Sequence, residues 1–206
     1  AMFRPMEHGA DIVINSITKF LAGHSDVTLG YVAARDPGLR TAIYDASVTW
    51  GTTPSPFDCW LAERGLHTFD LRFEKAQATA AALADALAGR DGIRQVIYPG
   101  RADHPHHNRA GTLFGGQFGN MLSFEIEGGR DEVNSFVMNA GGIPFAPTLG
   151  DVGCTLSHPA SSSHRALTEE GRAALGISEG YFRLSVGIEP PDLVLAELDA
   201  ALAAVS

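Results

Sequence analysis

Lys19 stands in VINSITKFLAGHSDVTLG, residues 13–30, just after two hydroxyl residues, Ser16 and Thr18, and just before a polar cluster of Gly23, His24, Ser25 and Asp26. An amine that attacks a carbonyl must be neutral part of the time, and burial beside other cations lowers a lysine pKa toward that condition. Two hydroxyls close by suit the oxygens of a phosphate. On these residues alone two readings stay open: an amine with carbonyl chemistry to do, and a solvated lysine at a strand end, which is the commoner. A second cation sits in YFRLSVG, residues 181–187. There Phe182, Leu184 and Val186 fall on one face of an alternating strand, and Tyr181, Arg183 and Ser185 on the other. A guanidinium offers a planar, two-pronged match to a carboxylate; the competing reading is an ion pair with one of the chain's 24 acidic residues. His104, His106 and His107 put three imidazoles in four positions, as a zinc site would. Pro105, Asp103 and Asn108 make this a surface turn instead, so no metal is expected. His158 and His164 are expected to be hydrogen-bonded structural residues.

The elements that must position these residues belong to a chain of 206 residues, 45% hydrophobic and 19% charged, an ordinary globular composition. A net charge of −9 makes nucleic acid and anionic membrane poor partners, because phosphates are repelled. Cys59 and Cys154 lie far apart without CxxC spacing, which fits a reducing compartment. No run approaches eighteen apolar residues, and the opening AMFRPMEHG lacks the order of a signal peptide. A cytoplasmic location is expected, and the abrupt start suggests part of a larger protein.

Glycines and prolines divide the chain into short alternating elements. Strands are expected at about 10–15 and 29–34, and a short helix over 55–66 starting beside Pro56 and stopping at Gly65. Phe69, Phe73, Ala76, Ala80, Leu83, Ala84 and Leu87 form one apolar stripe, which predicts a helix over 68–88 closed by Gly89. Strands follow at about 93–98 and 120–126, then a helix in DEVNSFVMNAG with its acidic residues at the N-terminus, as the helix dipole prefers. After the strand at 181–187, Pro190 and Pro191 introduce a last helix with Leu195, Leu198 and Leu202 at helical spacing. Alternating helices and strands give α/β or α+β, with a boundary near residue 65.

The longer string NSITKFLAGHSDVTLG resembles the cofactor-lysine segment, close to HSATKYLGGHSDV, of the pyridoxal-phosphate enzymes of cysteine and methionine metabolism. That family includes cystathionine γ-synthases, cystathionine lyases and methionine γ-lyase. Five further stretches are similar to family segments, in order and with compatible spacing: SPFDCWLAERGLHTFDLRFEKAQATA, VIYPGRADHPHHNRA, GGQFGNMLSFEIEGG, TLGDVGCTLSHPASSSH and GISEGYFRLSVGIEPPDL. The likeness runs over essentially the whole chain.

The resemblance implies an α/β fold of the fold-type I class, with residues 1–65 ending the large cofactor domain and 66–206 forming the smaller α+β C-terminal domain. It implies pyridoxal 5'-phosphate as cofactor, Lys19 as the Schiff-base lysine and proton carrier, and Ser16 and Thr18 as phosphate ligands. Arg183 then holds the substrate α-carboxylate, and Thr148 takes the place of a serine near the lysine and that carboxylate. Pro147 stands where the γ-lyase and γ-synthase branch has glutamate, and TLGD leans toward the SLGD pattern of methionine γ-lyase. The implied reaction is elimination or replacement at the β or γ carbon of a sulfur amino acid or activated homoserine, by a lyase or a γ-synthase-like transferase. A homo-oligomer, dimer or tetramer, is implied too. The matched segments are those of the later half of such an enzyme; the half carrying the phosphate loop, the ring-stacking tyrosine and the pyridine-pairing aspartate is not among them. The chain alone is therefore expected to be inactive, and the alternative reading is an inactive C-terminal fragment serving assembly or interaction.

Overall fold

In the computed structural model, which describes residues 2–205, the chain divides into two units, one running through Leu71 and the other from Arg72 onward. The division falls in the first turn of a long helix.

The first unit holds an antiparallel ribbon, β1 (Ile12–Ser16) and β2 (Gly30–Ala34), with Ile14 opposite Val32 and Ser16 opposite Gly30. Helices α1 (Pro37–Thr49) and α2 (Pro56–Leu66) follow. Helix α1 was not expected, although its start signal is present. Asp36 accepts a hydrogen bond from the Leu39 N–H at 2.8 Å, and Pro37 occupies the first helical position, where a missing N–H costs nothing. The helix buries none of its residues in this chain; its apolar residues Leu39, Tyr44 and Val48 stand exposed. Helix α2 is capped in the same way, with Ser55 Oγ accepting from the Asp58 N–H. It does not stop at Gly65 but runs through it. The glycine is there for close approach, because a Cβ at position 65 would overlap the carbonyl oxygen and Cα of Ala22.

The second unit is the α+β arrangement. Helix α3 (Phe69–Leu87) leads into β3 (Ile93–Ile97), α4 (His107–Phe114), β4 (Met121–Ile126), α5 (Arg130–Asn139), β5 (Thr155–Ser157), α6 (Glu169–Ala173), β6 (Tyr181–Ser185) and α7 (Pro191–Ala203). The four strands form an antiparallel sheet in the order β3-β4-β6-β5. One sheet face carries Leu122, Phe124, Ile126, Leu156, Phe182 and Leu184, all at most 1% exposed. These pack with Leu83 and Leu87 of α3, Val133 and Phe136 of α5, and Leu198 and Leu202 of α7 in one core. Phe182 sits at its centre, stacked on Phe124 at 5.6 Å and tilted against Phe136 at 4.9 Å, geometries that add to simple burial. The C-terminal part of the stripe read from the sequence on α3 meets this core: Ala80, Leu83, Ala84 and Leu87 belong to it, while Ala76 is buried outside it and Phe69 and Phe73 are half-buried.

The histidine-bearing stretch departs from a plain turn. His107 opens α4, which Gly115 ends in a left-handed cap (φ 61°). Strand β5 and helix α6 are too short to show a period.

Gly65 yields a direct test. Gly65→Ala offers helix propensity but forces the Ala22 backbone to move, so the close-packing cost decides the sign. Chemical denaturation of the variant should show a loss of about 1–3 kcal/mol, whereas Gly89→Ala, with open space around it, should leave stability nearly unchanged.

Candidate functional site

Two groups of chemistry-bearing residues emerge, one in each unit. In the first, β1 ends at Ser16 and the chain enters a wide helical turn, Ile17–Leu21, broken at Lys19, whose backbone (φ −81°, ψ −146°) leaves the helical region. The turn is tied at both ends: Ala22 N–H donates to the Ile17 carbonyl and Gly23 N–H to that of Lys19, each at 2.9 Å. Gly23 takes φ 78° and Ser25 φ 53°, left-handed conformations that turn the chain back toward β2. The His24 ring N–H donates to the Ala22 carbonyl at 2.6 Å.

Lys19 is half-buried, and among the described residues its amine has neither a hydrogen-bond nor an ion-pair partner. Ser16 is half-buried with its hydroxyl likewise uncommitted. Thr18 differs. Its Oγ1 accepts from the Leu29 N–H at 2.8 Å and donates to the Leu29 carbonyl at 3.1 Å, while its own N–H reaches that carbonyl at 3.0 Å. A hydroxyl has one proton to give; that of Thr18 closes the loop between β1 and β2, leaving lone-pair capacity but no donor to spare.

In the second unit, β6 is paired on both sides, with Arg183 opposite Ser123 on β4 and Ser157 on β5. Arg183 thus lies on the sheet face away from the aromatic core, in a row of small hydroxyl residues. Its Nη2 donates to the Thr148 carbonyl at 3.2 Å, so the structure brings Arg183 and Thr148 together through the Thr148 backbone. The Arg183 Nε is buried with no partner, and no carboxylate pairs with the guanidinium among the described residues. In a chain with 24 acidic side chains this argues against the structural ion pair. A buried guanidinium edge without an acceptor is costly, and a ligand carboxylate is the group that fits it.

Residues not singled out in the sequence complete this site. Thr148 begins a loop without regular structure, fastened along β6 and its continuation. Gly150 N–H donates to Ser185 Oγ at 2.9 Å, Ile188 N–H to the Val152 carbonyl at 2.8 Å, and Cys154 N–H to Glu189 Oε1 at 2.5 Å. Arg72, 5% exposed, has its pKa lowered by burial, an effect the Asp151 carboxylate of the same loop opposes. Burial pushes the Cys154 thiol up to about 12, so it stays protonated and inert. The loop's partners along β6 and its continuation lie about 35 residues away, where no local pattern can show them.

The histidines are occupied elsewhere. His107 Nδ1 meets the Pro99 carbonyl at 2.9 Å and its ring stacks on Phe118 at 5.2 Å, while His104 Nδ1 accepts from the His106 N–H at 3.2 Å. Among the described residues, no three His, Cys, Asp or Glu side chains group as metal ligands. His158, 1% exposed, donates from Nε2 to the Glu179 carbonyl at 2.6 Å and takes Ser161 Oγ at Nδ1, 2.9 Å, beside Phe182. His164 pairs with Ser163 Oγ at 2.9 Å.

The family model described as Cys/Met metabolism PLP-dependent enzyme matches residues 1–203. The chain belongs to that family. Among family members, it is 41% identical to a cystathionine β-lyase of Bacillus subtilis over 98% of the chain and 51% of the relative. It is 37% identical to an O-succinylhomoserine sulfhydrylase of Pseudomonas aeruginosa over 100% of the chain and 50% of the relative. The solved cystathionine γ-synthase of Xanthomonas oryzae pv. oryzae, in complex with aminoacrylate and cysteine, is 43% identical and superposes with a TM-score of 0.91, over 98% of this chain and 52% of that one. The α/β fold-type I assignment therefore stands, and the family's cofactor is pyridoxal phosphate. The chain spans about half the length of these relatives. A lyase, a sulfhydrylase and a synthase match this chain at 41%, 37% and 43% identity, so overall likeness does not choose among their reactions. Among the described residues no helix is long and apolar enough to cross a membrane.

His158 supplies a pH test of this unit. Burial, opposed by its bond to Glu179, holds the imidazole below its usual pKa. The unfolded ring protonates near pH 6.5 while the folded ring resists. The stability from the neutral ring is thus complete above about 6.5 and is lost as pH falls through the lowered folded value. Urea unfolding at pH 7.5 and 5.5 should show acid destabilisation in the wild type, and a smaller difference in His158→Gln.

Proposed function

We propose that the whole protein is a pyridoxal-phosphate enzyme that breaks or makes a carbon–sulfur bond at the β or γ carbon of a sulfur amino acid or activated homoserine. One observation carries the reading: the Arg183 guanidinium, held at one edge by the Thr148 carbonyl, keeps a buried Nε without an acceptor. The unpartnered amine of Lys19 and the uncommitted hydroxyl of Ser16, close in sequence on the same turn from β1, support it.

The residues present fit the cofactor. Lys19 would hold it through its aldehyde, and Ser16 would donate to its phosphate. Thr18, assigned with Ser16 to the phosphate, contributes chiefly by holding the β1–β2 loop closed around Lys19, since its proton goes to Leu29. When bound, the protonated pyridine ring supplies the electron sink for loss of the α-proton. The Lys19 amine would carry that proton between neighbouring carbons. Arg183 binds the amino-acid carboxylate through its free edge and orients the α-carbon. The Thr148 hydroxyl offers a further hydrogen bond beside that carboxylate. Phe145, Ala146 and Pro147 lead into Thr148 without a charged side chain, which favours an uncharged distal end on the substrate and agrees with the lean toward methionine γ-lyase.

By this reading residues 1–65 end the cofactor domain and 66–206 form the small domain. Subunit association as a dimer or tetramer belongs to the same proposal. Tyr44 at 69% and Val48 at 55% exposure on α1, with Trp50 at 80% just after it, make an apolar surface suited to burial in a larger assembly.

Two variants of the full-length protein test the assignment. Borohydride reduction with added pyridoxal phosphate should replace the visible absorbance by a covalent, near-ultraviolet-absorbing pyridoxyl label in the wild type and not in Lys19→Ala; equal labelling would remove Lys19 from the role. Arg183→Gln should raise the KM for the amino-acid substrate about 10- to 100-fold, the loss of a charge-assisted pair. An unchanged KM would return Arg183 to a structural role.

A further inference from the structure

Resting on the reading of Arg183 as the carboxylate-binding residue, we propose that Glu189 is a positioning residue for it, acting through Cys154 on the loop that carries Thr148. The loop 148–154 and the segment 183–189 run side by side in step. Arg183 meets Thr148, Ser185 meets Gly150, Ile188 meets Val152, and Glu189 meets Cys154. Three of these links are single hydrogen bonds. The fourth is a two-point clamp: Glu189 Oε1 accepts the Cys154 N–H at 2.5 Å and Oε2 accepts its S–H at 3.3 Å. The sulfur in turn accepts the Gly187 N–H at 3.2 Å. Glu189 is itself anchored, its carbonyl accepting from Thr79 Oγ1 of α3 at 3.4 Å.

The chemistry makes this clamp matter more than its neighbours. Cys154 is 2% exposed, so without the carboxylate its N–H and S–H are both buried and unpaired, and the loop must shift to satisfy them. No slack takes up the shift, because a Cβ at Gly187 would already overlap the Val152 carbonyl. The loop's other end is the Thr148 carbonyl, which fixes one edge of Arg183. Moving it turns the guanidinium and misaligns the Nε that the carboxylate needs. Glu189 touches neither substrate nor cofactor. Its effect is on how well the arginine is aimed, and so on binding rather than on proton transfer at Lys19.

The test uses the full-length, cofactor-loaded protein. Glycine, which has no β carbon from which to eliminate, is titrated by calorimetry, and kcat and KM are measured with a turnover substrate. Glu189→Ala should weaken glycine about tenfold and raise KM in parallel, with kcat within about twofold of wild type. Glu189→Gln keeps one acceptor and should lose about threefold, and Cys154→Ser keeps both donors and should stay near wild type. Amide hydrogen exchange should speed up at Cys154 and Gly150 in Glu189→Ala. If that variant does not fold, Glu189→Gln decides alone. A lowered Tm with glycine affinity and KM unchanged in Glu189→Gln overturns the proposal and leaves Glu189 a purely structural residue. If Arg183→Gln also leaves glycine affinity unchanged, the fault lies in the Arg183 reading instead.

Discussion

Strand β6 can be placed in only one way, and the second unit is organised around that fact. It is hydrogen-bonded on both edges, to β4 and to β5, so it cannot slide without breaking two ladders. Phe182 and Leu184 are fully buried, Phe182 between Phe124 and Phe136. A slip of one residue would put Arg183 among these rings and Phe182 in the polar row, a cost no compensating contact could meet. Arg183 is therefore aimed by the aromatic core on the opposite face from it. The stability of the core and the orientation of the guanidinium are one constraint seen from two sides.

Much of this was legible in the sequence, and for a physical reason. Alternation in YFRLSVG and the stripe on α3 record burial directly, since each buried face must be apolar at its own period. What stayed hidden was whatever depends on residues distant in sequence. Gly65 reads as a helix stop because glycine usually ends helices; its actual reason is the Ala22 backbone, 43 residues away. Helix α1 is announced by its Asp36–Pro37 cap and by Leu39 and Ile43, Tyr44 and Val48 at helical spacing, yet it buries none of its residues in this chain, so its apolar face answers to nothing the chain itself supplies. The turn at His104–His107 concealed a helix start because proline and polar residues serve both.

The site divides in the same manner. Lys19, Ser16, Thr18, Thr148 and Arg183 came from a resemblance carried by short local strings. Their partners could not, because Glu189, Cys154 and Ser185 act across gaps of about 35 residues. Thr18 shows the difference between membership of a motif and chemistry. The string places its hydroxyl near a phosphate, while the structure spends its proton on Leu29. Ser16 and Thr18 are thus unequal: one hydroxyl is free to meet a ligand, and the other keeps the loop shut.

The two cations also stand in different regimes. Lys19 owes its position to a local break in a helical turn, held by bonds no longer than a few residues and by a clamp across the loop. Arg183 owes its position to a sheet, and its aim to a loop stapled alongside. A group that must first hold a cofactor and then carry a proton needs a mobile stem on a short, firm base, which lysine in a tight loop provides. A group that must only recognise a carboxylate needs fixed direction, which a rigid guanidinium on a doubly paired strand provides. On the proposed roles, one cation in a loop and the other on a strand match what each would do, and both, half-buried, keep hydrogen-bonding capacity that an ion-paired cation such as Arg101, between Asp85 and Asp103, has spent.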